Sequence, residues 1–376
     1  MIADIPGWDL EVIGYTAGGK PLYAMKHIVG NDKPRILIVG GQHGNEPAGI
    51  AASIVLPYSL VADMPPSLFF DTDSLVNSLN IAIIPLANPD GFARYLECIS
   101  ANPGPSWLNT CPSARLNSRY ADINRDWMYL EQEETKAIHS FINKYNPDLV
   151  LDSHEFLARG SSPPKWAVET EGFMVTLTDN PYMMVHKDII DLAHNVMIYT
   201  EKAIENIIGW KVKTRHFSGK PDLVPPPNIL GAHLPLENKA KLLVETWGVG
   251  LHYYLWNERV STHLVAIYSS MHYIASHSGE INRIREAINS DHPYGIGVRG
   301  YKIEGPDEEL RKVRKLLELH NIFLDTNNIV YLRPGNWRIT VILLDEYIEF
   351  NQKLKERFLG PMTIRRKYRV IINKIV

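Results

Sequence analysis

Arg35-Ile36-Leu37-Ile38-Val39-Gly40-Gly41-Gln42-His43-Gly44-Asn45-Glu46 is the stretch on which the reading of the fold turns. Its first half is short, apolar and closed by glycines, the pattern of a strand buried on both faces of a sheet. Its second half places a histidine and a glutamate three apart directly after that strand, where one imidazole and one carboxylate can share a metal ion. Three further apolar runs repeat the arrangement. Residues 81–86 precede Asn88-Pro89-Asp90-Gly91, Asp148-Leu149-Val150-Leu151-Asp152 leads into Ser153-His154, and Leu242-Leu243-Val244 ends at Glu245. Helical spacing fills the intervals at residues 131–145, 189–208 and 257–288. The alternation predicts an α/β fold, a sheet with helices on both faces. Ligands of such sheets bind outside the carboxyl ends of the strands, so the four polar clusters are expected to converge on one site.

Composition bounds the rest. The 376 residues are 45% hydrophobic and 22% charged, as in soluble globular proteins. A net charge of −3 gives no basic field for nucleic acid. No apolar run approaches the roughly 20 residues that span a bilayer. Residues 1–10 lack the charged and apolar regions of a signal peptide, so a cytoplasmic enzyme is expected. In that compartment Cys98 and Cys111 are expected as reduced thiols, although they could pair and staple the loop between them. Asp291-His292-Pro293-Tyr294-Gly295 reads as a break between a main domain, 1–290, and a small α/β appendix, 291–376. In the appendix the spacing predicts a strand at 297–303, a charged helix at 306–320, and strands at 329–332 and 337–344 around a turn at 333–336. The basic tail Arg365-Arg366-Lys367-Tyr368-Arg369 reads as a solvated end, and the Pro-rich stretch 221–228 as a surface loop at the mouth of a site.

Each candidate residue has a chemical reason. His43, Glu46 and His154 supply two nitrogens and one carboxylate, the ligand set of a catalytic zinc with an open fourth position. Glu245, delivered by a core strand, suits a general base that moves a proton from water to a leaving amine. An arginine would stabilise an oxyanion and another would clamp a substrate carboxylate. Arg115, Arg119 and Arg125 are the candidates in the stretch 115–127, with Arg94 as a competitor for the first role. Asn88 to Gly91 reads mainly as a tight turn that shapes the crevice. Glu155 reads as a neighbour of the site rather than a ligand. His186, His194, His216, His233, His252, His263, His272 and His277 show no ligand pattern.

In this order, His43-x-x-Glu46, Asn88-Pro89-Asp90-Gly91, Arg115, Asn124-Arg125, His154 and Glu245 resemble the zinc carboxypeptidase family, the M14 type of metallopeptidase. The resemblance covers roughly residues 10–275. It implies a mixed, mostly parallel sheet flanked by helices, one zinc ion per chain, and hydrolysis of a C-terminal peptide or amide bond by zinc-activated water. By motif, His43, Glu46 and His154 match the zinc ligands, Arg115 the oxyanion arginine, Asn124 and Arg125 the carboxylate clamp, and Glu245 the catalytic glutamate. One departure is that residues 212–244 hold no tyrosine to close over substrate. The stretch 41–47 is also similar to the succinylglutamate desuccinylase and aspartoacylase branch, which implies an N-acyl amino acid as alternative substrate. A carboxylate-binding protein without catalysis is the reading from another class, and the intact set of ligands, base and arginines argues against it.

Overall fold

The computed structural model describes residues 5–62, 69–104, 110–157, 174–179, 185–215, 227–291, 297–344 and 364–376. A hairpin of β1 (Asp9–Tyr15) and β2 (Pro21–His27) precedes the central strand β3 (Arg35–Gly40). Then follow α1 (Pro47–Val61), α2 (Thr72–Ser78), β4 (Asn80–Ile84), α3 (Pro89–Ala101), α4 (Glu133–Tyr145) and β5 (Leu149–Leu157). β6 (Val175–Thr178), α5 (Lys187–Ile207), β7 (Val212–Arg215), α6 (Leu230–Leu236) and β8 (Ala240–Val249) complete the main sheet. Helices α7 (Trp256–Ser276) and α8 (Ser278–Asn289) pack into its core. α4 stops where it should: Asn146 takes a left-handed φ of 51° directly before Pro147.

Among the described residues the sheet has the order β1-β2-β4-β3-β5-β8-β6-β7. The centre, β4-β3-β5-β8, is parallel, and β2 and β6 join it antiparallel, so the sheet is mixed and mostly parallel. The two faces bury separate apolar clusters, one built on Ile36, Ile38 and Leu151 and the other on Leu37, Val39 and Val150. The hairpin and the short strands β6 and β7 were outside the sequence-based reading; β1 is largely exposed and carries little of the buried pattern.

Register aligns the polar clusters. Gly40 pairs with Ser153, Ser153 with Val244, and His154 with Glu245. His154 and Glu245 lie inside longer strands than expected, because β5 and β8 run on to Leu157 and Val249 after β3 has stopped. Gly41 turns the chain at the end of β3 with a φ of 68°, a conformation only glycine adopts freely. At Gly44 a Cβ would lie 2.2 Å from the backbone of Gly91, so the loop carrying His43 fits against α3 only with glycine there.

The C-terminal unit comprises β9 (Gly300–Glu304), α9 (Asp307–Leu319), β10 (Ile329–Tyr331), α10 (Trp337–Leu344), α11 (Ile364–Lys367) and β11 (Ile371–Ile375). Its antiparallel sheet runs β10-β9-β11. Residues 337–344, expected as a strand, are helical, and Ile371–Ile375 supplies the third strand instead. Trp337, Ile339 and Val341 alternate with Arg338 and Thr340 as in a strand, but Arg338–Leu344 is buried all round as a helix. Asn238 donates to the Gly335 carbonyl at 3.0 Å, and Arg338 pairs with Asp291, seating this unit against the main sheet's helices and loops.

Candidate metal centre and cleft

The loop after β3 and the middle of β5 bring three ligand atoms together. His43 Nδ1 lies 2.9 Å from Glu46 Oε1, His154 Nδ1 lies 2.7 Å from Glu46 Oε2, and the two Nδ1 atoms are 3.1 Å apart. All three residues are buried. The opposite ring nitrogens face carboxylates: His43 Nε2 is 3.0 Å from Asp122 Oδ1 and His154 Nε2 is 3.0 Å from Asp152 Oδ1. Such partners fix the tautomer and free both Nδ1 lone pairs for a cation. Burial disfavours ionised Asp122, but its bond to His43 and the charges of His43, Arg115 and Arg125 outweigh this and hold its carboxyl below the usual range. Two imidazoles and one carboxylate converging in this way fit zinc.

The surrounding contacts are as ordered as the ligands. Gln42 donates to Asp152 Oδ1 at 2.7 Å and accepts from Trp127 Nε1 at 3.0 Å. The Glu155 N–H donates to Glu46 Oε2 at 3.0 Å. The Glu155 side chain is not a ligand; it forms a buried, bidentate pair with Arg259 and accepts the Ala48 N–H at the start of α1. Gly248 makes room for that pair, since a Cβ there would meet Glu155 Oε1 at 1.7 Å. Asn88 caps α3 through Gly91 and donates to the carbonyls of Gln42 and Arg115, tying the ligand loop to the arginine segment.

A cavity of about 410 Å³ opens beside His43, Glu46 and His154 and is also lined by Arg115, Arg125 and Glu245. Arg115 Nε donates to Asp122 Oδ2 at 2.9 Å, and its Nη1 reaches Glu46 Oε1 at 3.3 Å. Arg94 is occupied with the Leu116 and Asn117 carbonyls, and Arg119 pairs with Glu133 at 3.9 Å; neither lines the cavity. Asn124 lines the cavity, accepts from Leu230 N at 2.9 Å, and places its Nδ2 3.3 Å from His154 Nε2. Arg125 is exposed at the rim. Glu245 accepts from Thr176 Oγ1 at 3.1 Å, across the β6–β8 pair. Most of the Pro-rich stretch at 221–228 lies outside the described residues.

The two cysteines, expected as thiols, form a disulfide that joins α3 to the short 3₁₀ turn Pro112–Arg115. The compartment rule had outweighed the possibility of pairing; the fold places the two Cα atoms 6.1 Å apart, within disulfide reach. Cys111 immediately precedes the turn that presents Arg115, so the bridge anchors that arginine's approach to the cleft.

Comparison with known proteins agrees with this geometry. Residues 6–182 match the family model described as zinc carboxypeptidase. Carboxypeptidase 2 of Trichophyton rubrum is 29% identical over 133 residues, 35% of this chain and 20% of that protein. The match therefore spans about a fifth of that relative's length. The metallo-carboxypeptidase from Burkholderia cenocepacia superposes with a TM-score of 0.53 at 16% identity, over 73% of this chain and 66% of that one. Carboxypeptidase A from Helicoverpa armigera gives 0.54 at 15% identity, over 73% and 71%. The two superpositions establish the shared fold.

Proposed function

We propose that this chain, which carries a zinc carboxypeptidase domain over residues 6–182, is a metallocarboxypeptidase that hydrolyses the last peptide bond of a substrate with a free C-terminal carboxylate. The observation that carries the reading is the lining of one cavity by His43, Glu46 and His154 together with Arg115, Arg125 and Glu245. Zinc bound to the first three would supply a Lewis acid for the scissile carbonyl. Glu245, on the same face and in register with His154, takes a proton from the attacking water and gives it to the leaving amine. Thr176 holds the carboxylate in the orientation that this needs. Arg115, fixed by Asp122, donates to the oxyanion as it forms. Once His154 Nε2–H is given to Asp152, Asn124 Nδ2 has no acceptor there and is available, with Arg125, for the substrate's carboxylate.

Peptide hydrolysis by Glu245→Gln, measured with its metal content, tests the core of the reading. A fall of about 10²–10⁴ in kcat with metal retained is expected. Parallel loss of metal would contradict the role as base. Arg125→Ala is expected to lower kcat/KM on free peptides and to spare C-terminally amidated ones; equal loss on both removes the clamp.

The same cavity supports a preference for an acidic final side chain. Lys241 lies on the Glu245 face of β8 and lines the cavity, with its stem against Gly231, where a Cβ would meet Lys241 Nζ at 2.6 Å. Its Nζ donates to the Thr178 carbonyl at 3.4 Å and has no ion-pair partner among the described residues. A buried ammonium with open donors favours an anion beside it. Peptides ending in Glu should be cleaved about 10-fold faster, by kcat/KM, than peptides ending in Leu, and Lys241→Met should erase the difference. Preference for a basic or apolar terminus in the wild type would refute this assignment.

A further inference from the structure

We propose that His139, His233, Glu237 and His320 form a second zinc site, a structural one that clamps the C-terminal unit to the catalytic domain. His139 comes from α4, His233 from α6, Glu237 from the end of α6, and His320 from the end of α9. The four donor atoms point at one centre. Glu237 Oε1 is 2.9 Å from His139 Nε2, 3.3 Å from His233 Nε2 and 3.7 Å from His320 Nδ1, and the Nε2 atoms of His139 and His233 are 3.4 Å apart. Zinc–nitrogen bonds near 2.0–2.1 Å set the edges of a tetrahedral shell at about 3.3 Å, so the observed separations scatter around the required ones. The histidines are 0–2% exposed.

Without a cation this arrangement is costly. Three buried imidazoles crowd one carboxylate oxygen that cannot accept well from all of them. His320 Nδ1 and Glu237 Oε2 are buried and have no hydrogen-bond partner among the described residues. Unpaired buried polar atoms call for a ligand or an ion. The tautomer of His320 is already set for a metal: its Nε2–H donates to the Met128 carbonyl at 3.1 Å, which leaves the Nδ1 lone pair facing the other three donors. A pocket lined by Lys136, His139, Ser140 and Asn143 offers a path from solvent. His233 and Glu237 lie one turn apart, at the end of a short helix, so both side chains can reach one ion.

The position of the cluster gives the site its role. α4 and α6 belong to the catalytic domain, whereas α9 belongs to the C-terminal unit. The His233 ring also lies 6.4 Å from that of Trp127, tilted against it, and the Trp127 indole holds Gln42 in the contacts around His154. A cation here would tie the C-terminal unit to the segment that also carries Asn124 and Arg125.

Elemental analysis of the full chain, saturated with zinc and desalted, tests the proposal in three proteins. The wild type should hold about two zinc ions per chain, and His154→Ala and His320→Ala about one each. His320→Ala should also melt on the order of 10 °C lower than the wild type. One zinc in the wild type, lost in His154→Ala and kept in His320→Ala, overturns the second site while leaving the catalytic reading intact. Should His320→Ala fail to fold, cobalt loading of His154→Ala decides: one equivalent with the intense visible bands of tetrahedral cobalt supports the site, and no such bands overturn it.

Discussion

The two histidine clusters differ in what lies around the same ligand chemistry. His43, Glu46 and His154 leave one side open to a cavity of about 410 Å³, and each imidazole is backed by a carboxylate, Asp122 or Asp152. The second cluster has four donors from three helices, enough to complete a tetrahedral shell, and is backed by the Met128 carbonyl behind His320 and the Asn143 amide beside His139. Three ligands that leave a position facing a cavity suit catalysis; four donors that complete the shell suit a structural role. Carboxylates behind the ligands raise the basicity of an imidazole that must hold a metal while its remaining position exchanges. A filled shell has less need of that support.

The largest test of this contrast is on the backing carboxylates. Asp122→Asn removes the charge behind His43 and loosens Arg115, whose Nε is bonded to the same carboxylate. Zinc affinity at the open site should fall about 10–100-fold, read by chelator competition, with a larger fall in activity. The second zinc should be retained at wild-type affinity. An unchanged affinity at the open site would show that Asp122 serves Arg115 alone, and loss of both ions would show that the two clusters are not independent.

The convergence of His43, Glu46 and His154 was legible in the sequence because they follow apolar runs, and strand ends in an α/β sheet point to one crevice. Asp122 and Asp152 stood in the same stretches: the meeting of Asp122 with His43 and Arg115 is visible only in the fold, whereas Asp152 lies two residues before His154 on β5. Thr176 was illegible because β6 is four residues long and was not read as a strand at all. The second cluster was illegible for a topological reason. His139 lies on the buried face of α4 among Ile138, Phe141 and Ile142, where a histidine reads as a core residue, and His320 belongs to another sheet's helix. Only folding of the C-terminal unit onto α4 and α6 brings these donors together. The same limit explains residues 337–344: Trp337, Ile339 and Val341 alternate as in a strand, and the burial on every side from Arg338 to Leu344 depends on neighbours that the segment does not encode.

The smaller test exploits Lys241, the buried ammonium that lines the open cleft. Burial depresses the Lys241 ammonium to about 8, against the opposing pull of Asp152, Glu245 and Asp179. Below that pH the group is a cation and attracts an acidic side chain; as the pH rises through it, the proton leaves and the attraction goes with it. Because kcat/KM reports ionisations of the free enzyme, the ratio for Glu-ending over Leu-ending peptides should decline severalfold between about pH 7 and 9. The ratio removes every ionisation that the two substrates share, including those of the metal site and Glu245. In Lys241→Met the ratio should be flat across the same range, and the second zinc should remain bound throughout. A wild-type ratio that does not change with pH would assign Lys241 to neutralising Asp152 and its neighbours rather than to recognising substrate.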